Sequence, residues 1–255
     1  MQPEAIYHAL SDELIDESIQ LLPHAWGMDS IEKFKDYLKA SLPQGAQSTR
    51  ERAAVYLCRR FFGNGHIDRL LLAMLRFVPS YAEKRELIAY RFMQAEPLVG
   101  RCVTDLLFEK VVANDFLISS SELRQFIVER LGKESEKSLV RLSRILVKFG
   151  HLVKLRGNGH CYEIRQLQPS FNTLVYACHN EFGIPAMYRM EDITSAQFRK
   201  LFLLSPTVLR AFIKQASDTK LIQYVQAGGL EQVRTQYSLV EVVAHLTGVN
   251  IDALS

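Results

Sequence analysis

Between Glu134 and Phe149 the chain reads ESEKSLVRLSRILVKF, and its polar and apolar positions repeat with the period of a helix. At about 100° per residue, Lys137, Arg141, Arg144 and Lys148 fall on one narrow stripe, and Leu139, Leu142, Leu146 and Phe149 fall on the opposite side. One face therefore enters a core while the other presents cations to solvent. Glu134 and Glu136 fall in the first turn, where the helix dipole favours anions, and Gly150 suits a left-handed C-terminal cap. A preceding helix is signalled by Ser119 to Ser121 ahead of Glu122 and the run Leu123, Phe126, Ile127, Leu131, with Gly132 ending it. The gap between the two is as short as a helix-turn-helix requires. Leu152, Lys154 and Arg156 then alternate with Val153 and Leu155. Gly157-Asn158-Gly159 supplies a tight reversal, and His160, Tyr162 and Ile164 return. With a short strand from Phe116, residues 116–168 predict a winged helix.

Residues 1–115 pattern as a helical bundle. Ser11 opens a helix closed by Pro23, and Ser30 opens another that breaks at Pro43-Gln44-Gly45. Ser48 and Thr49 precede RERAAVYLCRRFF. There Val55, Cys58, Phe61 and Phe62 are expected to pack, and Arg50, Arg52, Arg59 and Arg60 to lie at the surface. The helices either side of Pro43 form a crude helix-turn-helix, with Arg50 and Arg52 placed to serve phosphate. Ser80 starts a further helix, and Pro97 starts the next, through Ala113.

Residues 169–255 repeat the central architecture at a spacing of about 70 residues. A helix from Pro169 to Phe182 is followed by Thr194 capping Ser195 to Leu201. Ser205-Pro206 starts a recognition-like helix, and a hairpin turns at Gly228-Gly229. This copy is less cationic. It offers Arg210 and Lys214 on its helix, and its hairpin carries Glu231 as well as Arg234. The last helix, Ser238 to Leu246, is expected to pack back on this domain, with fraying from Gly248. The fold class predicted is mainly helical: an N-terminal bundle followed by two winged-helix-like units with small β-hairpins.

The 255 residues carry a formal net charge of only +3, so attraction to phosphate has to come from local patches. The longest apolar stretch, Leu70 to Val78, is interrupted by Arg76 and is far too short for a membrane span. The acidic start MQPEAIYHALSDELIDE has no signal-peptide pattern. Four cysteines without C-x-x-C spacing suggest reduced thiols and a cytoplasmic setting. The chain holds no phosphate-binding glycine loop, His-Glu-x-x-His motif or nucleophile elbow. Neither an enzymatic activity, a cofactor, a metal nor a small-molecule substrate is expected.

A cationic helix fits a major groove, and a basic hairpin lies over the adjacent backbone. Lys137, Arg141, Arg144 and Lys148 are thus the first candidates for double-stranded DNA contact, with Lys154, Arg156 and His160 on the wing. Arg50, Arg52, Arg210 and Lys214 are secondary. With few Asn or Gln on the stripe, mostly phosphate contacts are expected.

Several strings add a resemblance. They are Tyr56-Leu57-Cys58-Arg59-Arg60-Phe61-Phe62, Glu96-Pro97-Leu98, Val103 to Lys110 (VTDLLFEK) and Leu201 to Pro206 (LFLLSP). In this order around a winged helix, the chain resembles the BrxA family of accessory proteins in bacterial BREX phage-exclusion systems, from about Leu14 to Leu246. The resemblance implies antiphage defence beside a methyltransferase, a phosphatase-like protein and a large ATPase. It also implies a helical protein that binds duplex DNA without being an enzyme. The family's occasional inner-membrane label finds no span here. Two alternatives remain: a protein-interaction scaffold within the defence complex, or a winged-helix transcriptional regulator.

Overall fold

Serine side chains cap half of the described α-helices. The computed structural model describes residues 14–63, 65–78, 80–155, 157 and 160–254, so Ser11, Arg156, Asn158 and Gly159 lie outside the described residues. The first half is helical throughout: α1 (Ile15–Leu21), α2 (Ile31–Ser41), α3 (Gln47–Phe61), α4 (Arg69–Phe77), α5 (Tyr81–Ala95), α6 (Pro97–Arg101) and α7 (Phe108–Val112). Ser30 and Ser80 accept the amides of Lys33 and Glu83, as their positions predict. The first α-helix ends at Leu21, just before Pro23, as expected. Pro23 enters a 3-10 turn, Leu22–Gly27, where its missing N–H is tolerated. The helix expected after Pro97 is split by a π-helical turn, Cys102–Leu107. Gly100 lies so close to α5 that a Cβ would sit 2.3 Å from the Met93 carbonyl oxygen.

The second half contains two copies of one unit. The first is β1 (Leu117–Ser119), α8 (Ser120–Leu131), α9 (Glu136–Lys148), β2 (Leu152–Lys154) and β3 (Cys161–Ile164). After α10 (Phe171–Glu181) comes the second: β4 (Met187–Arg189), α11 (Met190–Ser195), α12 (Gln197–Leu201), α13 (Pro206–Asp218), β5 (Ile222–Ala227) and β6 (Leu230–Thr235). Each sheet is antiparallel, with the last strand in the middle: β1-β3-β2 and β4-β6-β5. The chain is thus mainly helical with two small winged-helix-like units, as the patterning predicts.

The copies align differently from the sequence reading. The strand β4 was missed, and α10 is not the leading helix of the second unit. It lies among α5, α12 and the last helix, α14 (Leu239–Thr247). Thr194 sits inside α11. The α12 amides of Gln197 and Phe198 donate instead to the Glu181 carboxylate, at 2.7 and 2.9 Å. Helix α14 packs on α10, within residues 169–255 as expected, and also on α4 of the bundle. Beyond Gly248 the chain forms a further turn that buries Leu254. Among the described residues, no helix is long and apolar enough to cross a membrane.

Along α3, Cys58, Phe61 and the C-cap Phe62 pack and Arg52 and Arg59 are exposed, as expected, but Val55 and Arg60 trade places. Val55 is 53% exposed, whereas Arg60 is 6% exposed. Arg60 Nε and Nη2 donate to Glu96 Oε1 at 2.9 and 2.8 Å, and its guanidinium lies 4.1 Å from the centre of the Phe92 ring. Phe92 meets Phe149, the C-cap of α9, edge to face at 5.3 Å. One continuous cluster of buried apolar residues runs through the bundle and both winged units. His151, fully buried after α9, donates from Nε2 to the Leu201 carbonyl at 2.7 Å, and the Leu167 amide donates to the Phe202 carbonyl at 3.2 Å. These bonds join the first winged unit to α12 of the second.

Two outcomes are expected. Glu96→Ala leaves a buried guanidinium without its carboxylate and should cost about 3–5 kcal/mol of stability, read by urea denaturation. Burial lowers the His151 pKa to about 4, from an ordinary value near 6.5. The unfolded chain therefore takes up this proton first, so the stabilisation is complete above about pH 6.5 and is lost as pH falls toward 4. Stability should drop by about 2 kcal/mol between pH 7 and 5 from this residue. His151→Gln, which retains a donor for Leu201, should remove that part of the pH dependence.

Candidate nucleic-acid interface

The cationic face of α9 is fixed by what its other face buries. Leu139, Leu142, Ile145 and Leu146 are in the core, with Phe149 at the end. The helix starts later than the pattern suggests: Ser135 is the N-cap, accepting the Ser138 amide at 3.2 Å, so Glu134 precedes the helix. Upstream, Ser119 and Glu122 form the expected capping box, and Gly132 ends α8 with φ of 69°. The wing is held at its base by the Ser120 amide, which donates to the His160 carbonyl at 2.7 Å.

In the β2–β3 register Lys154 faces Tyr162, and Leu152 faces Ile164. Leu152, Lys154, Tyr162 and Ile164 thus share one face of the ribbon. Leu152, Tyr162 and Ile164 are buried against α9, and Lys154 continues beyond the core into solvent. It lines a concavity of about 360 Å³ between α9 and the wing, with Arg144 and His160. Lys137, Arg144, Lys154 and His160 are exposed, and Arg141 is half-buried.

The four cations of the stripe do not behave alike. Lys148 turns away to Asp16 of α1, with Nζ 2.9 Å from the carboxylate. Arg124 of α8, which the sequence reading passed over, also lines the concavity. It pairs with Glu134 at 3.3 Å and Glu136 at 2.8 Å, which ties the start of α9 to α8 and neutralises the acidic residues beside the stripe. No local pattern signals it, since Arg124 and Glu136 lie 12 residues apart on separate helices. Val140 and Val147 line the same concavity, 46% and 41% exposed.

Of the secondary candidates, Arg50 and Arg210 are engaged within the chain, and Arg52 and Lys214 are exposed. Arg50 Nη1 donates to the Gln44 and Gly45 carbonyls at 2.7 and 2.9 Å, closing the loop before α3. Arg52 Nε donates to the Ser48 carbonyl at 3.3 Å and stays exposed. Arg210 of α13 reaches Glu231 on its own wing at 2.9 Å. That contact holds Arg210 more firmly protonated, and Arg210 with Tyr224 holds the Glu231 carboxyl below its usual range. Lys214 is exposed at the edge of a cleft of about 310 Å³, lined also by Met190, Ile213 and Tyr224. Both winged units therefore carry a cleft with an apolar lining bordered by cations, Arg124, Arg144, Lys154 and His160 at the first and Arg210 and Lys214 at the second.

No family model matches the chain, and no curated protein matches it. Two solved structures share its fold. One, of a protein called SspB, has a TM-score of 0.64 at 11% identity and covers 98% of this chain and 94% of that one. The other, SspB with a magnesium ion bound, has a TM-score of 0.60 at 11% identity and covers 100% and 92%. The similarity is one of fold over nearly the full length of both chains.

Proposed function

We propose that this chain is a non-enzymatic, duplex-DNA-binding accessory component of a BREX-type antiphage system, acting in the cytoplasm. The DNA part rests on one observation: Arg144, Lys154 and His160 converge on the concavity between α9 and its wing, with Lys137 and Arg141 alongside. A recognition helix entering the major groove would bring Lys137, Arg141 and Arg144 to the phosphates and base edges, while Lys154 and His160 meet the flanking backbone. The BREX part rests on the resemblance of the quoted strings to the BrxA family, and other components of such a system are the protein partners it implies.

The second winged unit supports a protein-facing role beside the first. Its Arg210 is paired to its own wing through Glu231, and Met190, Ile213 and Tyr224 line its cleft beside Arg210 and Lys214. It would dock a partner of the defence complex in place of DNA.

A salt series of duplex-binding titrations tests the DNA reading. Affinity should fall steeply with salt, and Arg141→Ala with Arg144→Ala should reduce the log–log slope by about 2, one per lost phosphate contact. Arg210→Ala should leave the slope unchanged. Lys148→Ala should move it little, because Asp16 already holds that ammonium. An unchanged slope in the double variant rules the stripe out.

A further inference from the structure

The exposed side of α9 carries two files of residues, and only one is cationic. Beside Lys137, Arg141 and Arg144, toward the wing, lie Val140 and Val147, both of which line the concavity. The remaining aliphatic residues of α9, Leu139, Leu142, Ile145 and Leu146, are at most 5% exposed. Valine is a poor helix former, since its branched side chain loses χ1 freedom, and in solvent no burial offsets that loss. Two such residues on one groove-lining file therefore call for a ligand with apolar points of its own.

Resting on the DNA-binding reading above, we propose that Val140 and Val147 contact thymine 5-methyl groups in the major groove, so that α9 reads base identity as well as backbone. The 5-methyl is the apolar group that a duplex displays on its major-groove edge, and side-chain methyls are its usual partners. The two valines lie two helical turns apart, about 10 Å along α9. That is the rise of about three base-pair steps at roughly 3.4 Å each. Charge favours a duplex over a protein as the occupant: Lys137 and Arg144 border the valines on one side and Lys154 and His160 on the other. The nearby carboxylate of Glu136 is already held by Arg124 at 2.8 Å. These base contacts would add to the mostly phosphate contacts expected from the polar residues of the stripe.

Replacing thymine by uracil removes the methyl groups and leaves every hydrogen-bonding edge in place. Burying one methyl corresponds to about a four-fold gain in affinity, and two to about fifteen-fold. In anisotropy titrations of the full chain at one salt concentration, a mixed-sequence duplex should bind about four- to fifteen-fold more tightly with thymine than with uracil. Val140→Ser with Val147→Ser, at exposed positions outside the core, should bring the two affinities together. Arg141→Ala with Arg144→Ala should weaken both duplexes alike and keep their ratio. A thymine-to-uracil ratio of one for the unaltered protein overturns the methyl contacts and leaves duplex binding standing. Failure to bind either duplex at low salt overturns both readings and assigns this face to a protein partner.

Discussion

A guanidinium taken out of water holds the molecule's orientation. Arg60 of α3 is buried, paired to Glu96 at the junction of α5 and α6, and stacked over Phe92, which in turn packs edge to face on Phe149 at the end of α9. A buried charge is costly unless its partners are correctly placed, so this column tolerates little displacement. It runs from the helical body to the last residue of the recognition helix. With Phe149 held there and Leu139, Leu142 and Leu146 in the core, α9 cannot turn about its axis, and its cations and valines keep facing outward.

The same constraint explains how two copies of one fold carry different surfaces. Each recognition helix needs only its inner face to be apolar: Leu139, Leu142 and Ile145 in α9, and Leu209, Phe212 and Ile213 in α13. The outer face contributes little to folding and can vary. In α9 it combines cations with valines beside a basic wing. In α13 its arginine closes on Glu231 of the wing. The bonds from His151 to Leu201 and from Leu167 to Phe202 fasten the copies to one another, so neither surface turns independently of the other.

Much of the central unit was legible because its signals are local. The Ser119–Glu122 capping box, the left-handed glycines at 132 and 150, and the leucine period of α9 each act within one or two turns of chain. The partners that several candidate cations find within the chain are illegible for the opposite reason. Arg210 finds its partner 21 residues away, and Lys148 finds Asp16 132 residues away. Arg50 is taken by the carbonyls of the loop at Gln44 and Gly45, a geometry that no periodicity announces. The strand β4 is only three residues long, too short for alternation to be visible, and without it α10 was taken for a member of the repeat.

The amino-acid sequence determined the helix starts at Ser30, Ser80 and Ser119, that the class is mainly helical, and which side of α9 faces out. Caps, glycine turns and the 3.6-residue period act between near neighbours, so they are written in consecutive letters. Tertiary structure decided that Arg60 is a core residue and Val55 a surface one, that Lys148 and Arg210 are already paired, and that Lys154, His160, Arg144 and two valines share one groove. A charge chooses its partner by proximity in space, and that proximity arises only once distant segments have packed.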